Sequence, residues 1–398
     1  MRSLRGFRLL VALIAGGTLG VWLLAPRLKA MALIVRVAKQ QGPLGRLAKM
    51  TAGEIHEGPI VAMPTRHGPM ETRLYSPPRP ARRTAILVPG LHMDGIREER
   101  LVGLARELAA SGLQILTVAP PALARYRVTT DSTDELEDAI TWATSRADLA
   151  PDGRIGVMGI SFAGGLALVA AGRSAVRGHV AFVLSFGGHG DLLRVLRYLC
   201  LGGDDGIDDR ARRLAEGGQY IHVPRPHDYG GVVTLLNLAG RAVPPPQVAP
   251  LEEAITVFLE ASSIGRLDPS GAVAHFARAR QLGEAMAEPG RTLMKYVNER
   301  DVAALGHALA PLLANLDLPA GLSPERSPAP TAPVFLLHGA DDSVVPASEM
   351  LFVVERLRAK TRVRAFASRL ITHAEANRQG ALAEMWHLSG FWRELLRL

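Results

Sequence analysis

The segment GISFAG, residues 159–164, places a serine where a strand pattern gives way to a helix pattern. Residues 154–158 form an apolar run, and residues 165–171 are rich in alanine and leucine. A sharp turn at such a junction lifts the serine hydroxyl above the edge of a sheet, and it tolerates only small neighbours. Ser161 is therefore predicted to be a nucleophile, and the backbone N–H of Phe162 to bind the oxyanion that its attack would create.

A serine nucleophile needs a base that accepts its proton and a carboxylate that orients the base. Downstream, residues 335–346 read FLLHGADDSVVP, so that a strand pattern ends just before two acids, Asp341 and Asp342. Residues 368–379 read SRLITHAEANRQ and place His373 after the last strand pattern. We predict that one of these acids and this histidine join the serine in a catalytic triad at one edge of a sheet.

These residues can meet only if the strands that precede them end side by side in one sheet. The sequence has the pattern of such a sheet, because short apolar runs alternate with amphipathic stretches. The predicted strands lie near residues 58–63, 70–75, 84–88, 113–118, 154–158, 180–185, 334–337 and 362–367. The predicted helices lie at 96–111, 134–146, 162–172, 347–360 and 374–396. Such alternation is typical of an α/β protein with a mostly parallel central sheet and helices on both faces.

The alternation lapses over residues 191–332, where helical periods are broken by prolines and no strand pattern is convincing. This stretch ends in a Pro-rich link, residues 322–333. An insertion of this kind is expected to form a helical cap over the ends of the strands. The core is then predicted to comprise residues 55–190 and 333–398.

The N-terminal region contains a run without charge, residues 9–25. As a helix it would span roughly 25 Å, the lower edge of what crosses a bilayer. We predict that residues 1–30 are a membrane anchor, with a cleaved signal peptide and a buried helix as the alternatives. Basic residues flank the run on both sides, so the positive-inside rule leaves the side of the membrane open.

Residues 31–54 are predicted to be a basic amphipathic linker. Lys29, Arg36 and Lys39 recur at helical spacing along one side of an otherwise apolar stretch. Such a stripe can lie along anionic head groups, and it can equally belong to a helix that packs on the folded domain. The sequence leaves both possibilities open.

The positive charge of the chain is concentrated near its N-terminus. Residues 1–83 carry 14 Lys and Arg against 3 Asp and Glu, whereas the remainder carries 32 against 35. A protein that binds nucleic acid would carry the excess on its folded domain. A basic end beside an apolar run instead favours a membrane surface as the partner, and we expect no nucleic-acid partner.

The chain contains one cysteine, Cys200, which excludes an intrachain disulfide. Cysteine and histidine do not cluster at the spacings of a zinc site, so no metal is expected. No motif surrounds Cys200, and we interpret it as a small buried hydrophobic residue. The acidic segment GGDDGIDD, residues 202–209, lacks the spacing of a calcium loop and is interpreted as a solvated turn.

From about residue 55 to the end, apart from the insertion, the chain resembles serine hydrolases of the α/β-hydrolase fold. The likeness is to the dienelactone hydrolase, serine peptidase and acyl-esterase branches. Their acid loop, HG-x-x-D-x-x-V-P, corresponds to residues 338–346, and the acid four residues before the proline is Asp342 rather than Asp341. Around Ser161 the pattern is G-x-S-x-A, with alanine where the commonest form has glycine.

The oxyanion turn of these hydrolases is matched loosely by residues 89–92, PGLH, where Pro-Gly replaces His-Gly. The resemblance implies that the N–H of Leu91 binds the oxyanion, with that of His92 as the alternative. It implies no metal and no organic cofactor. Dienelactone hydrolases proper use a cysteine nucleophile, so the serine in this chain does not imply their activity.

Several further polar residues adjoin these segments. His92 and Asp94 either shape the substrate site or hold the oxyanion turn by hydrogen bonds. His338 is expected to fix the acid loop rather than to act as the base. Residues 222–231, HVPRPHDYGG, are interpreted as a solvated loop of the cap.

The sequence thus predicts a membrane-anchored serine hydrolase that acts on an ester, thioester or amide, with a small-molecule or lipid acyl substrate. An acyltransferase or a peptidase could use the same triad. The alternative that is not an enzyme is a protein with a hydrolase-like fold and no catalytic activity, which serves as a membrane-tethered interaction module.

Overall fold

A computed structural model describes residues 24–202, 223–265, 268–370 and 378–398, with the backbone alone over residues 378–383. Its centre is an eight-stranded sheet of order β1-β2-β4-β3-β5-β6-β7-β8. The strands are β1 His56–Thr65, β2 Gly68–Ser76, β3 Thr84–Val88, β4 Gln114–Val118, β5 Ile155–Ile160, β6 Val180–Phe186, β7 Val334–Gly339 and β8 Val363–Ser368.

Strands β3 to β8 run parallel, while β2 is antiparallel to both β1 and β4. The β1–β2 hairpin closes where Thr65 pairs with Gly68. All five residues of β3 are buried, as expected for a central strand covered on both faces. The predicted α/β class is therefore confirmed, and this strand order and direction are those of the α/β-hydrolase fold.

Helices cover both faces of the sheet and fill the insertion. Residues 24–37 form α1, and the next helices are α2 Gly42–Met50, α3 Glu99–Ala110, α4 Pro121–Ala124, α5 Thr130–Thr144 and α6 Phe162–Gly172. The insertion holds α7 Leu192–Leu201, α8 Asp228–Ala242, α9 Pro245–Ile264, α10 Pro269–Glu284, α11 Gly290–Glu299 and α12 Val302–Ala314. The chain ends with α13 Ser348–Leu357 and α14 Arg378–Leu395.

The first described helix, α1, packs on the folded core. Ala30 and Leu33 are buried in the cluster that α3 and α14 form on one face of the sheet. Arg36 is only 8% exposed and donates hydrogen bonds to Glu107, Thr51 and Ser111. The guanidinium of Arg36 is therefore bonded within the protein, and around this residue α1 is a helix that packs on the folded domain, one of the two possibilities for residues 31–54.

No helix among the described residues is both long and apolar enough to span a bilayer. The predicted anchor, residues 1–30, lies mostly in residues 1–23, outside the described part of the chain. Only its last residues, from Leu24 onward, are seen, and they form the start of α1.

The insertion joins the core through a buried ionic network at the start of α7. The carboxylate of Glu349 is fully buried and accepts hydrogen bonds from the backbone N–H groups of Gly190 (2.8 Å) and Asp191 (3.0 Å). Arg194 donates to the same carboxylate and also to Glu325. The network ties α7 to α13, and hence the insertion to the sheet.

Cys200 is buried in α7, as the sequence predicts. Burial raises the pKa of its thiol to about 12, so the thiol stays protonated at neutral pH. A protonated, buried thiol is a poor nucleophile.

A buried carboxyl on α5 makes stability depend on pH. Glu135 is 3% exposed, its Oε2 has no hydrogen-bond partner within the described part of the chain, and burial raises its pKa to about 7. In the unfolded chain a glutamate has a pKa near 4.3. Between these two pKa values the folded state binds the additional proton, so stability falls as the pH rises from about 4.3 to about 7.

We expect Glu135→Gln to raise the free energy of unfolding at pH 8 by about 1–3 kcal/mol, because the amide removes the cost of ionising the buried carboxyl. At pH 4 the two proteins should differ much less, since the carboxyl is then largely protonated in both states. Urea unfolding at pH 4, 6 and 8 measures this. Parallel stability curves across this range would show that Glu135 does not titrate as described.

Candidate active site

Ser161 occupies the turn between β5 and α6 in a backbone conformation that is rare for a residue with a side chain. Its φ is 55° and its ψ is −134°. Its N–H donates to the carbonyl of Phe186 on β6, and its carbonyl accepts from the N–H of Gly164, both at 2.7 Å. Two hydrogen bonds thus hold a strained residue at the carboxyl end of the sheet, where strain is characteristic of functional sites.

The small residues around Ser161 are required by the close approach of the backbone. A Cβ on Gly159 would lie 2.2 Å from the carbonyl oxygen of Ala163. A Cβ on Gly164 would lie 2.6 Å from Oγ of Ser185 and 3.0 Å from Cα of Gly188. These distances leave no room for a side chain, which explains the spacing seen in the sequence.

The predicted oxyanion turn lies beside the serine. A Cβ on Gly90 would be 3.2 Å from Cβ of Ser161, so the turn after β3 and the turn after β5 are in direct contact. Leu91 and Phe162, whose N–H groups are the predicted donors, line the same cavity as the serine. The hydroxyl of Tyr229, from α8, donates to the carbonyl of Leu91 at 3.1 Å and so fixes the peptide between residues 91 and 92.

His92 connects the oxyanion turn to the insertion. Its Nε2 lies 3.0 Å from Oγ of Ser263 on α9, and its Nδ1 lies 3.3 Å from the backbone N–H of Asp94. Since Nδ1 accepts that bond in the neutral ring, Nε2 carries the proton and donates to the serine hydroxyl. These contacts favour a role in holding the loop. His92 also lines the cavity, whereas Asp94 is not among its lining residues.

The acid loop after β7 presents Asp342 at the same edge. Its Oδ1 accepts hydrogen bonds from the backbone N–H groups of Val344 (2.9 Å) and Val345 (3.0 Å). Its Oδ2 lies near Gly187, since a Cβ added to this glycine would be 3.4 Å from that oxygen. His338 is buried and its Nε2 donates to the carbonyl of Val345 at 2.8 Å, so it fixes the loop as predicted.

One cavity of about 890 Å³ brings these residues together at the carboxyl ends of the strands. Ser161, Asp342, Leu91, Phe162 and His92 all line it. Much of the remaining surface is apolar, with aromatic rings from Phe186, Phe258 and Phe276. The predicted base, His373, lies within residues 371–377, outside the described part of the chain.

Sequence reasoning missed a polar group that the insertion brings to this cavity. His227, Asp228 and Tyr229, at the start of α8, line it together with Arg300. Hydrogen bonding from His227 and then from Arg300 lowers the pKa of Asp228, although burial opposes the shift. The prediction of a solvated loop is therefore wrong for Asp228 and Tyr229, which begin α8 and are half-buried, whereas His227 is exposed at the end of the loop. The sequence signals a helix start there, but it does not show that the helix folds back over the sheet.

A possible metal-ligand group among the described residues lies elsewhere. Ligand atoms of His67, Asp131 and Asp134 come within 4.8 Å of one another. However, Asp134 already pairs with Arg173, and Arg66 lies 4.0 Å from it. The two arginines neutralise the negative charge that would attract a metal cation. We therefore interpret the cluster as a surface ionic network.

No family model and no curated protein sequence matches this chain. Several solved structures are similar to it. An acylaminoacyl peptidase of Pyrococcus horikoshii has 12% sequence identity and a TM-score of 0.40, with 90% of this chain and 43% of that chain covered. This chain thus spans less than half the length of the peptidase.

Two esterases are similar over most of their length. One from Pyrococcus furiosus has 11% identity and a TM-score of 0.42, with 90% of this chain and 95% of that chain covered. One from Pyrobaculum calidifontis has 15% identity and a TM-score of 0.40, with 92% and 90% covered. At such identities and TM-scores these similarities carry no argument about this chain, whose fold is defined by the order and direction of its own strands.

Proposed function

We propose that this chain is a serine hydrolase that cleaves an ester, thioester or amide through an acyl-enzyme. The observation that carries the proposal is the strained turn at Ser161, which shares one cavity with the carboxylate of Asp342. A positive φ at a serine between a strand and a helix is costly, and a nucleophile needs that exposure at the sheet edge.

In the proposed mechanism, Oγ of Ser161 attacks the substrate carbonyl while His373 accepts its proton. The carboxylate of Asp342 holds the imidazole in the required tautomer and stabilises its cation. The N–H groups of Leu91 and Phe162 bind the oxyanion, each worth about 3 kcal/mol in comparable sites. His373 then protonates the leaving group, and water, activated by the same histidine, releases the acyl group.

Chain position supports His373 as the base. Its segment follows the carboxyl end of β8, which runs parallel to β7, and β7 leads into the loop of Asp342. The described histidines of the cavity have other partners. His92 bonds to Ser263, and Nδ1 of His227 lies 2.6 Å from Asp228.

Asp342→Asn should lower kcat by about 10³–10⁴, because an amide neither stabilises the imidazolium nor selects the required tautomer. The matched control is Asp341→Asn, which changes the neighbouring acid and should have only a small effect. Steady-state kinetics with a p-nitrophenyl ester measures both. A larger loss in the Asp341 variant than in the Asp342 variant would reverse the assignment.

The apolar surface of the cavity supports an acyl or alkyl group as the part of the substrate that it binds, because burial of such a group is favourable. A chain-length series of p-nitrophenyl esters, together with aminoacyl amides, separates an esterase from a peptidase. Transfer of the acyl group to an added alcohol in preference to water would indicate an acyltransferase.

A further inference from the structure

A second cavity, also of about 890 Å³, opens at the other ends of the strands, where the parallel strands begin. Its walls include residues 77–80, which precede β3, and residues 110–112, which precede β4. The end of α14 and the start of α1 complete it. We call this the basic cavity. It lies at the amino ends of the parallel strands. It is therefore separate from the cavity lined by Ser161 and Asp342 at their carboxyl ends, which we call the catalytic cavity.

The lining of the basic cavity is positively charged. Among the described residues that line it there is no aspartate or glutamate, and the cationic ones are Lys29, Arg36, Arg79, Arg82, Arg393 and Arg397. Arg36 is compensated by Glu107. Arg393 also lines the cavity, and its buried Nε has no hydrogen-bond partner among the described residues.

Exposed apolar side chains lie at the start of α1, beside the basic cavity. Leu24 and Leu28, at the start of α1, are 49% and 55% exposed. The charge-free run of residues 9–25 includes Leu24 and ends at Ala25, which lines the cavity together with Pro26. Trp386 is 46% exposed, and the guanidinium of Arg27 stacks 3.4 Å from its ring centre.

Helix α2 adds an amphipathic element that ends at the same place. Leu44, Leu47 and Met50 are 55%, 61% and 82% exposed and recur every three residues, so they share one side of the helix. The next residue, Thr51, lines the basic cavity. A short helix with exposed apolar residues and basic neighbours is typical of segments that insert into the head-group region of a bilayer.

We propose that the basic cavity binds the phosphate groups of anionic phospholipids and thereby docks this edge of the protein on a membrane. Guanidinium and ammonium groups donate hydrogen bonds to phosphate oxygens, and the exposed apolar side chains of α1 and α2 enter the adjoining acyl region. The occupant is a lipid surface rather than a free anion because the cations are bordered by exposed apolar residues. This role is independent of catalysis.

The test uses the full chain in a neutral detergent, titrated with dihexanoyl-phosphatidylglycerol, dihexanoyl-phosphatidylcholine or inorganic phosphate. Melting temperature is the readout, since a ligand that binds only the folded state raises it. Phosphatidylglycerol should raise it, and the other two should have little effect at equal concentration. Short-chain lipids are chosen so that binding does not depend on bilayer insertion of residues 9–25.

The informative variant carries Arg79→Gln, Arg82→Gln, Arg393→Gln and Arg397→Gln, and it should bind phosphatidylglycerol at least about tenfold more weakly. The milder pair Arg79→Gln and Arg82→Gln, in an exposed loop, should show part of this loss. The control pair, Arg278→Gln and Arg280→Gln on α10, removes two cations from the insertion and should retain full binding.

Equal effects of phosphatidylcholine and phosphatidylglycerol, or an equal loss in the control pair, would overturn the proposal. An equal effect of inorganic phosphate would assign the cavity to a small anion instead and would likewise overturn it. Fluorophosphonate labelling of Ser161 in each variant reports on the catalytic site. Failure of wild-type labelling would therefore refute the proposed hydrolase while leaving the lipid result standing.

Discussion

Ser161→Ala should abolish labelling of the folded protein by a fluorophosphonate and lower kcat for ester hydrolysis by about 10⁴–10⁶. Fluorophosphonates react only with an activated serine hydroxyl, so labelling tests the nucleophile without knowledge of the substrate. The alanine adds no bulk to the turn, and its methyl group occupies the place of the serine Cβ. The variant should therefore keep its melting temperature to within a few degrees.

The matched control is Ser262→Ala, because Ser262 lines the same cavity and its hydroxyl donates to the carbonyl of Phe258 within its own helix. That variant should label like the wild type. Folded wild-type protein that fails to label would instead support the non-catalytic, membrane-tethered module.

The same assay identifies the base. His373→Asn should reduce the rate of labelling about as strongly as loss of the serine reduces turnover, because no other group would then accept the proton. His227→Asn should have a smaller effect, since this side chain is bonded to Asp228. If the His227 variant were the one that loses labelling, the insertion would supply the base and the proposed triad would be wrong.

Glu349→Ala should lower the free energy of unfolding by about 3–5 kcal/mol, the largest effect on stability that we expect from a single substitution in this chain. It removes the acceptor of two backbone N–H groups and the principal partner of Arg194, whose charge then stays largely buried. Urea unfolding at pH 7 measures the change.

Two further variants test whether the loss of stability arises from burial of the ionic network or from the removal of a charge alone. Glu99→Ala breaks an ion pair in which both side chains are more than 60% exposed, and it should cost less than about 1 kcal/mol. Replacing both partners, with Arg194→Met and Glu349→Leu, should recover part of the loss because no guanidinium is then left buried without its principal partner. A loss in the Glu99 variant as large as that in the Glu349 variant would contradict the role of burial.

The central strands could be predicted from sequence because they are short apolar runs between turn residues. β3 has the bounds that its pattern predicts, Thr84–Val88. β5 extends two residues further than expected, since Gly159 and Ile160 still pair with β6. That extension carries the sheet directly into the turn of Ser161, so the strand and this turn are continuous.

Helix starts were harder to predict, because a capping residue and a helical residue can have the same type. Ser132 and Thr133 resemble a cap, but α5 already begins at Thr130. The hydroxyl of Thr133 bonds to the carbonyl of Thr130 inside the first turn. A threonine hydroxyl serves either purpose, and packing decides between them.

The sequence predicts that the insertion caps the ends of the strands, but it does not predict which helices do so. Helical periods in residues 191–332 indicate helices, but which helix covers the catalytic cavity depends on packing between residues distant in sequence. Tyr229 reaches Leu91 and Ser263 reaches His92, at sequence separations of 138 and 171 residues. Local patterns contain no information about such contacts.

Helix α1 borders both cavities. Arg36 lines the basic cavity and donates a hydrogen bond to Ser111 there, while the next residue, Val37, lines the cavity that Ser161 also lines. Docking on lipid through the basic cavity would therefore act on a helix that also forms part of the wall of the cavity beside Ser161.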